Sequence, residues 1–172
     1  MKFLPFLLIF QASFSLAASF EDCKGLSLSA TENKTYELID CHDGDTCRFR
    51  WNQKTVKVRF VGIDAPEVGK PGQPLSTDAR QMVLELLKTG EIKLASYGAD
   101  FYQRELAEVF AGDLNINLCL VKYGMAQVYR GKSPKNLPIQ KYEEMEWEAR
   151  KAKKGIWGLD EYEDPAQYRK KK

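Results

Sequence analysis

The chain reads as one α+β domain built on a small closed sheet of five strands, with one helix inserted after the third strand and two more downstream. Three observations predict this. From Thr35 onward, short runs of β-branched and aromatic residues alternate in polarity between turn residues. Apolar positions recur at helical spacing from Ser76 and again toward the end. Finally, 172 residues, 44% hydrophobic and 29% charged, can bury one core but leave no room for a second full domain.

The strands are expected at Thr35 to Cys41, Thr46 to Trp51, Thr55 to Ile63, Glu91 to Ala95 and Arg104 to Phe110. Breaks at Asp43-Gly44-Asp45, Trp51-Asn52-Gln53 and Tyr97 to Asp100 separate them. In the third, Val56, Val58 and Phe60 alternate with Lys57 and Arg59, so one face is core and the other carries charge. Gly69, Pro71, Gly72 and Pro74 mark a loop. A helix then follows with Ser76 or Thr77 as cap and Gly90 as terminator. Asp113 is expected to cap a second helix through Tyr123, and Ile139 to Lys153 to form a third packing through Ile139, Tyr142, Met145, Trp147 and Ala149.

Four segments result: 1–19, 20–34 as an N-terminal extension, the domain at 35–159, and a charged tail at 160–172. In the first, Lys2 precedes an apolar run from Phe3 to Phe10, a polar stretch from Gln11, and the small residues Ala17, Ala18 and Ser19. This is the shape of a secretory signal peptide, and it is too short for a membrane span, which needs about twenty apolar residues. A secreted or periplasmic location follows, without stable membrane association after signal cleavage and with no obligate protein partner.

Export gives the cysteines an oxidising setting. Cys23, Cys41, Cys47 and Cys119 allow three complete pairings. Cys41 and Cys47 flank a tight turn and can face each other across two strands, leaving Cys23 for Cys119; buried free thiols or another connectivity are the alternatives. The 26 basic and 24 acidic residues exclude a strongly basic wrapping protein, but not an enzyme that meets phosphate in one positive cleft. Positive charge gathers at Arg150 to Lys154 and at Arg169 to Lys172, where a solvated helix face and a frayed end are the simple explanation.

Chemistry is concentrated in Asp43-Gly44-Asp45-Thr46, Arg59 and Asp64-Ala65-Pro66-Glu67. Asp45 begins one strand and Asp64 ends another, so pairing brings the two carboxylates together. Two such groups in one cleft repel unless a cation or arginine neutralises them, and hard oxygen ligands suit calcium or magnesium. His42 beside this turn is expected at the surface or behind the site's ligands, not as a catalytic group.

With Val58 to Glu67, Tyr102-Gln103-Arg104-Glu105-Leu106-Ala107, Leu120 to Ala126 and Gly155-Ile156-Trp157, these motifs resemble the staphylococcal nuclease, or thermonuclease, family over about Tyr36 to Trp157. The resemblance implies a five-stranded OB-fold barrel with three helices. It also implies a Ca²⁺-dependent phosphodiesterase that cuts DNA and RNA with little sequence specificity, leaving 3′-phosphate and 5′-hydroxyl ends. Carried over by motif, Asp45 and Asp64 with the carbonyl of Ala65 resemble calcium ligands, Arg59 and Arg104 the catalytic phosphate-binding arginines, and Glu67 the general base or water positioner. Tyr102 and Tyr129 resemble substrate contacts. Gln103 and Phe101 depart from the family pattern, and the loop after Glu67 is shorter than in the founding nuclease. The alternative class is a non-catalytic OB-fold module that binds single-stranded nucleic acid; the complete Asp45, Arg59, Asp64, Glu67 and Arg104 set speaks against it.

Overall fold

The computed structural model describes residues 34–171, so the 1–19 segment and Cys23 lie outside the described residues. Strands β1 (Glu37–Cys41), β2 (Thr46–Trp51) and β3 (Lys54–Phe60) form an antiparallel meander. β3 pairs in parallel with β6 (Glu105–Ala111), which pairs antiparallel with β5 (Ile92–Ala99). β7 (Leu114–Asn115) adds to β6, while β4 (Ile63–Asp64) and β8 (Gln127–Val128) make a separate two-stranded sheet.

The α+β class and the five-strand path are as expected, but the sheet is not closed. Its edges touch at an isolated bridge where the Tyr36 amide donates to the Ile92 carbonyl at 3.0 Å. Past that point β1 follows β2, and the twist of short strands carries it away from β5. The third strand also ends earlier than expected, at Phe60. Val61 and Gly62 turn the chain, Gly62 at a φ of 79°, and send Ile63 and Asp64 into the second sheet. β5 runs on to Ala99 through an irregularity after Ser96, which moves the turn to residues 101–103.

Alternation places Phe49, Val58 and Phe60 in the core, while Arg48 and Arg50 face outward. Helix α2 (Ile116–Lys122) is buried from Ile116 to Val121. Its cap is Asn115, whose side chain accepts from the Leu118 amide at 3.1 Å, and not Asp113. Leu114 and Asn115 first pair with β6, so the helix cannot begin until they have done so. Helix α1 (Ser76–Leu86) likewise lacks the expected hydroxyl cap: Leu75 precedes it in a left-handed conformation, and Ser76 is buried as its first residue.

Helix α3 (Ile139–Lys151) buries Tyr142, Met145, Glu146 and Ala149 along one stripe. Trp147, expected to pack, falls off that stripe and is 62% exposed. After a 3₁₀ turn at Gly155–Gly158, a fourth helix, α4 (Pro165–Lys170), joins the expected three. The end that charge alone reads as a solvated tail is folded back as this helix. Among the described residues, no helix is long and apolar enough to cross a membrane.

Candidate active site

The disulfide between Cys41 and Cys47 joins register partners of β1 and β2 and closes the turn that carries Asp43 and Asp45. Cys119 is buried in α2, and the pairing with Cys23 falls outside the described residues. Within the turn, Asp43 Oδ1 accepts from the Asp45 amide at 2.9 Å, which braces the Asp45 backbone. Gly44 lies against Ala65 and α1 so closely that a Cβ there would stand 2.8 Å from the Cβ atoms of both Ala65 and Ala79. A side chain at 44 would push the turn away from the segment that carries Asp64.

Pairing of Thr46 with Arg59 sets Asp45 beside the end of β3. The Asp45 carboxylate then reaches across, its Oδ2 accepting from the Ala65 amide at 2.7 Å. Arg59 ties the two aspartates together. Its Nη1 lies 2.8 Å from Asp45 Oδ2 and its Nη2 2.8 Å from Asp64 Oδ1. The guanidinium fork is what lets one side chain serve two carboxylates. Burial raises the Asp45 carboxyl to about 7, against the pull of Arg59 and with a further push from Asp43. Burial also raises Asp64, opposed by its bonds to Arg169 and by Arg59.

A second arginine enters from the far end of the chain. Arg169 Nη1 donates to Asp64 Oδ1 at 3.0 Å and to Glu67 Oε1 at 2.6 Å, and its Nη2 donates to Asp64 Oδ2 at 2.9 Å. Glu67 is thereby held beside the aspartates. Its amide donates to Gln73 Oε1 at 2.9 Å, so the short loop after it is folded around the Gln73 side chain.

Arg104 and Tyr102 stand on the tip between β5 and β6. Asp100 organises that tip, accepting from the amides of Tyr102 and Arg104 at 2.9 Å each and from Arg104 Nε at 2.7 Å. Burial works against ionisation of Asp100, but these bonds and the Arg104 charge outweigh it and hold the carboxyl below its usual range. Tyr102 is 75% exposed, with the Arg104 guanidinium 5.6 Å from its ring centre.

These groups line one cleft of about 700 Å³, shared by Asp43, Asp45, Arg59, Glu67, Arg104 and Arg169. Tyr102 and Tyr129 stand on its rim, and His42 is an exposed lining residue. Asp64 and Ala65 lie behind the wall, buried to 1% and 2%. Asp45, Arg59, Asp64, Ala65, Glu67, Tyr102, Arg104 and Tyr129 are therefore at or immediately behind this cleft, whereas Cys119 lies in α2 and Cys23 outside the described residues. Sequence reasoning missed Arg169, Asp100 and Gln73. For Arg169 a local signal existed: Asp164 followed by Pro165 is a cap and first-turn pair that marks a helix start.

Among the described residues, no group of three or more acidic, histidine or cysteine side chains forms a ready-made metal cage. The donor set nevertheless fits a hard divalent cation. Asp43, Asp45, Asp64 and Glu67 set four carboxylates against the guanidiniums of Arg59 and Arg169, leaving two negative charges to balance when all are ionised.

The five-strand path, the inserted helix and this arginine–carboxylate cleft define an OB-type α+β domain with a charged cleft. Residues 57–158 match the family described as Staphylococcal nuclease homologue, and the chain belongs to that family. It is 34% identical over 147 residues to a Haemophilus influenzae protein named an uncharacterized endonuclease, covering 84% of this chain and 78% of that one. It is also 34% identical over 145 residues to a micrococcal nuclease of Shigella flexneri, covering 78% and 79% of the two chains. A Komagataella phaffii protein named a probable endonuclease is 33% identical over 126 residues, which are 68% of this chain and 55% of that one.

Proposed function

We propose that the chain is a calcium-dependent phosphodiesterase that hydrolyses DNA and RNA with little sequence specificity, leaving 3′-phosphate and 5′-hydroxyl ends. The observation that carries this reading is the Arg59 fork between Asp45 and Asp64, with Glu67 beside it and Arg104 in the same cleft.

Asp45, Asp64 and neighbouring main-chain oxygen would hold the cation. When bound, such an ion polarises a nonbridging phosphate oxygen and makes a coordinated water more acidic. Glu67 orients the attacking water and takes its proton as the oxygen bonds to phosphorus. The bond from phosphorus to the 5′ oxygen breaks, and the electron pair leaves with that oxygen, which takes a proton from solvent water to become the 5′-hydroxyl. Arg59 and Arg104 hold nonbridging oxygens through guanidinium donors, which meet the growing charge of the five-coordinate transition state. Arg104 spends its Nε and Nη2 on Asp100, which fixes its plane and leaves Nη1 for the phosphate. Tyr102 and Tyr129 offer ring faces, which tolerate any base.

A secreted or periplasmic site of action is part of the same proposal. The Lys2 to Ser19 pattern supports it, as does a disulfide in the turn that carries Asp45. Recovery of exported protein beginning near residue 18 or 20 is the expected result of N-terminal sequencing.

The test is single-turnover cleavage of DNA and RNA by the disulfide-intact chain, with calcium, magnesium or chelator. Calcium is expected to support cleavage best, and Asp45→Asn to weaken calcium binding. Nucleic-acid binding without metal-dependent cleavage would replace this reading with that of a binding module.

A further inference from the structure

Asp64 is the most heavily bonded carboxylate of the cleft. One oxygen accepts from Arg59 at 2.8 Å and from Arg169 at 3.0 Å, and the other accepts from Arg169 at 2.9 Å. The same Arg169 fork reaches Glu67 at 2.6 Å. Arg169 takes one lone pair on each Asp64 oxygen, and with Arg59 on the first it leaves a single acceptor site open, so a cation ligated through both oxygens or at the Arg169 side competes with that arginine. A cation there would be a third positive group on a carboxylate that already carries Arg59 and Arg169, and would repel both at such distances.

The two arginines are not equally fixed. Arg59 sits within β3 with its side chain 12% exposed, whereas the Arg169 side chain is 40% exposed. Arg169 is carried by a six-residue helix, too short to be stable alone. That helix is held over the cleft by its buried Pro165 and a few polar links. Gln73 Nε2 donates to the Glu163 carbonyl at 2.7 Å, Gln127 Nε2 donates to Asp164 Oδ2 at 2.6 Å, and the Tyr168 hydroxyl donates to the Pro71 carbonyl. Its firmest hold on the site is the Arg169 fork itself.

We infer that Arg169 is a tethered cation of the cleft, which competes with a divalent metal ion for Asp64 and Glu67, so that metal binding releases the C-terminal arm. This rests on the metal reading above. It gives the arm a definite role: without metal it keeps Asp64 neutralised and Glu67 engaged, and metal frees Glu67 for water.

Calcium chloride titrated calorimetrically into the full-length chain, its disulfides intact, tests this with Arg169→Gln and Lys170→Gln. The second variant removes the same charge from an exposed neighbour. Arg169→Gln should tighten calcium binding about fivefold or more, as loss of a partly exposed competing ion pair implies, while Lys170→Gln stays within about twofold of the parent, as expected for a solvent-screened charge. In the parent, calcium should also speed amide exchange across residues 165–171, a readout that needs no variant. Unchanged or weaker binding in Arg169→Gln, an equal gain in Lys170→Gln, or exchange that calcium leaves unchanged or slows would overturn the inference while leaving the metal site standing. Absence of calcium binding in all three proteins would overturn the metal reading, and this inference with it.

Discussion

Tyr142 donates its hydroxyl to Glu108 Oε1 at 2.6 Å in the middle of the molecule, where their exposures are 0% and 1%. Tyr97 donates to Oε2 at 2.7 Å, and Asn115 Nδ2 to Oε1 at 2.9 Å. A buried carboxylate is tolerable because three donors from β5, β7 and α3 surround it. Burial, and then the charge of Glu108, raise the phenol of Tyr142, which keeps it a donor. Glu108→Gln turns an amide N–H toward those donors and should cost about 3 kcal/mol; Tyr142→Phe should cost about 2 kcal/mol. Urea unfolding measures both, and losses below about 0.5 kcal/mol, within the range of ordinary surface substitutions, would reject this cluster as a structural pin.

Arg59 makes a different kind of prediction, because it serves both stability and chemistry. Arg59→Ala leaves two buried carboxylates without the guanidinium they share and should destabilise the metal-free protein by about 3 kcal/mol. Calcium should restore part of that loss, since an ion bound only by the folded state stabilises it. Cleavage should stay at least about a hundredfold down even at saturating calcium. Thermal unfolding with and without calcium, beside single-turnover rates, separates the two effects. Full recovery of rate with calcium would show that Arg59 has no part in the chemistry.

Glu67 and Arg104 divide the labour of the cleft. Glu67→Gln keeps shape but loses basicity, so the chemical step should fall while calcium and substrate still bind. Arg104→Lys keeps charge but cannot both grip Asp100 and present a fork to phosphate. Loss of such an oriented donor is worth about 3 kcal/mol, or roughly a hundredfold in rate. Near-parental single-turnover rates for both variants would move the non-catalytic binding module to the front.

The Cys41–Cys47 bridge spans a sequence separation of 6, so its entropic contribution is small, about 2 kcal/mol on the loop-closure estimate. Its larger effect is expected at the site, because the closed turn holds Asp43 and Asp45. Cys41→Ser with Cys47→Ser should weaken calcium binding more than it lowers the unfolding midpoint implies. Calorimetry on the folded double variant measures this, and unchanged calcium affinity would leave the bridge a purely structural role.

Much of the site was legible in the sequence because it lies on strand ends, where spacing and pairing are local. Asp45 opens β2, Arg59 sits opposite Thr46, and Asp64 follows a turn at Gly62; each relation spans twenty residues or fewer. The alternation of Val56, Val58 and Phe60 likewise told which way Arg59 would not point. Arg104 and Tyr102 could be placed with them through the motif, although the role of Asp100 between them could not, since a turn aspartate has many ordinary uses.

Where the sequence misled, tertiary context had overruled a local preference. Asp113 and Ser76 have the chemistry of helix caps, yet β7 pairing delays α2 to Asn115, and burial of Ser76 places it inside α1. Trp147 has the character of a core residue, but a thirteen-residue helix has one buried stripe, and the packing of Tyr142, Met145 and Ala149 settles which. Glu108 carries no local sign of its burial, because its three partners come from separate elements.

By itself, then, the sequence determined the α+β class, the main strands and the cleft residues Asp45, Arg59, Asp64, Glu67 and Arg104, because alternation, turn residues and strand-end motifs act over short distances. The tertiary structure alone decided that the sheet stays open beyond the single bridge of Tyr36 and Ile92, and that Arg59 grips both aspartates at once. It also decided that Arg169 closes on Asp64 across 105 residues of chain. An ion pair between such distant positions has no spacing to betray it: it forms only after burial has concentrated negative charge at one point and folding has brought the Arg169 guanidinium within reach.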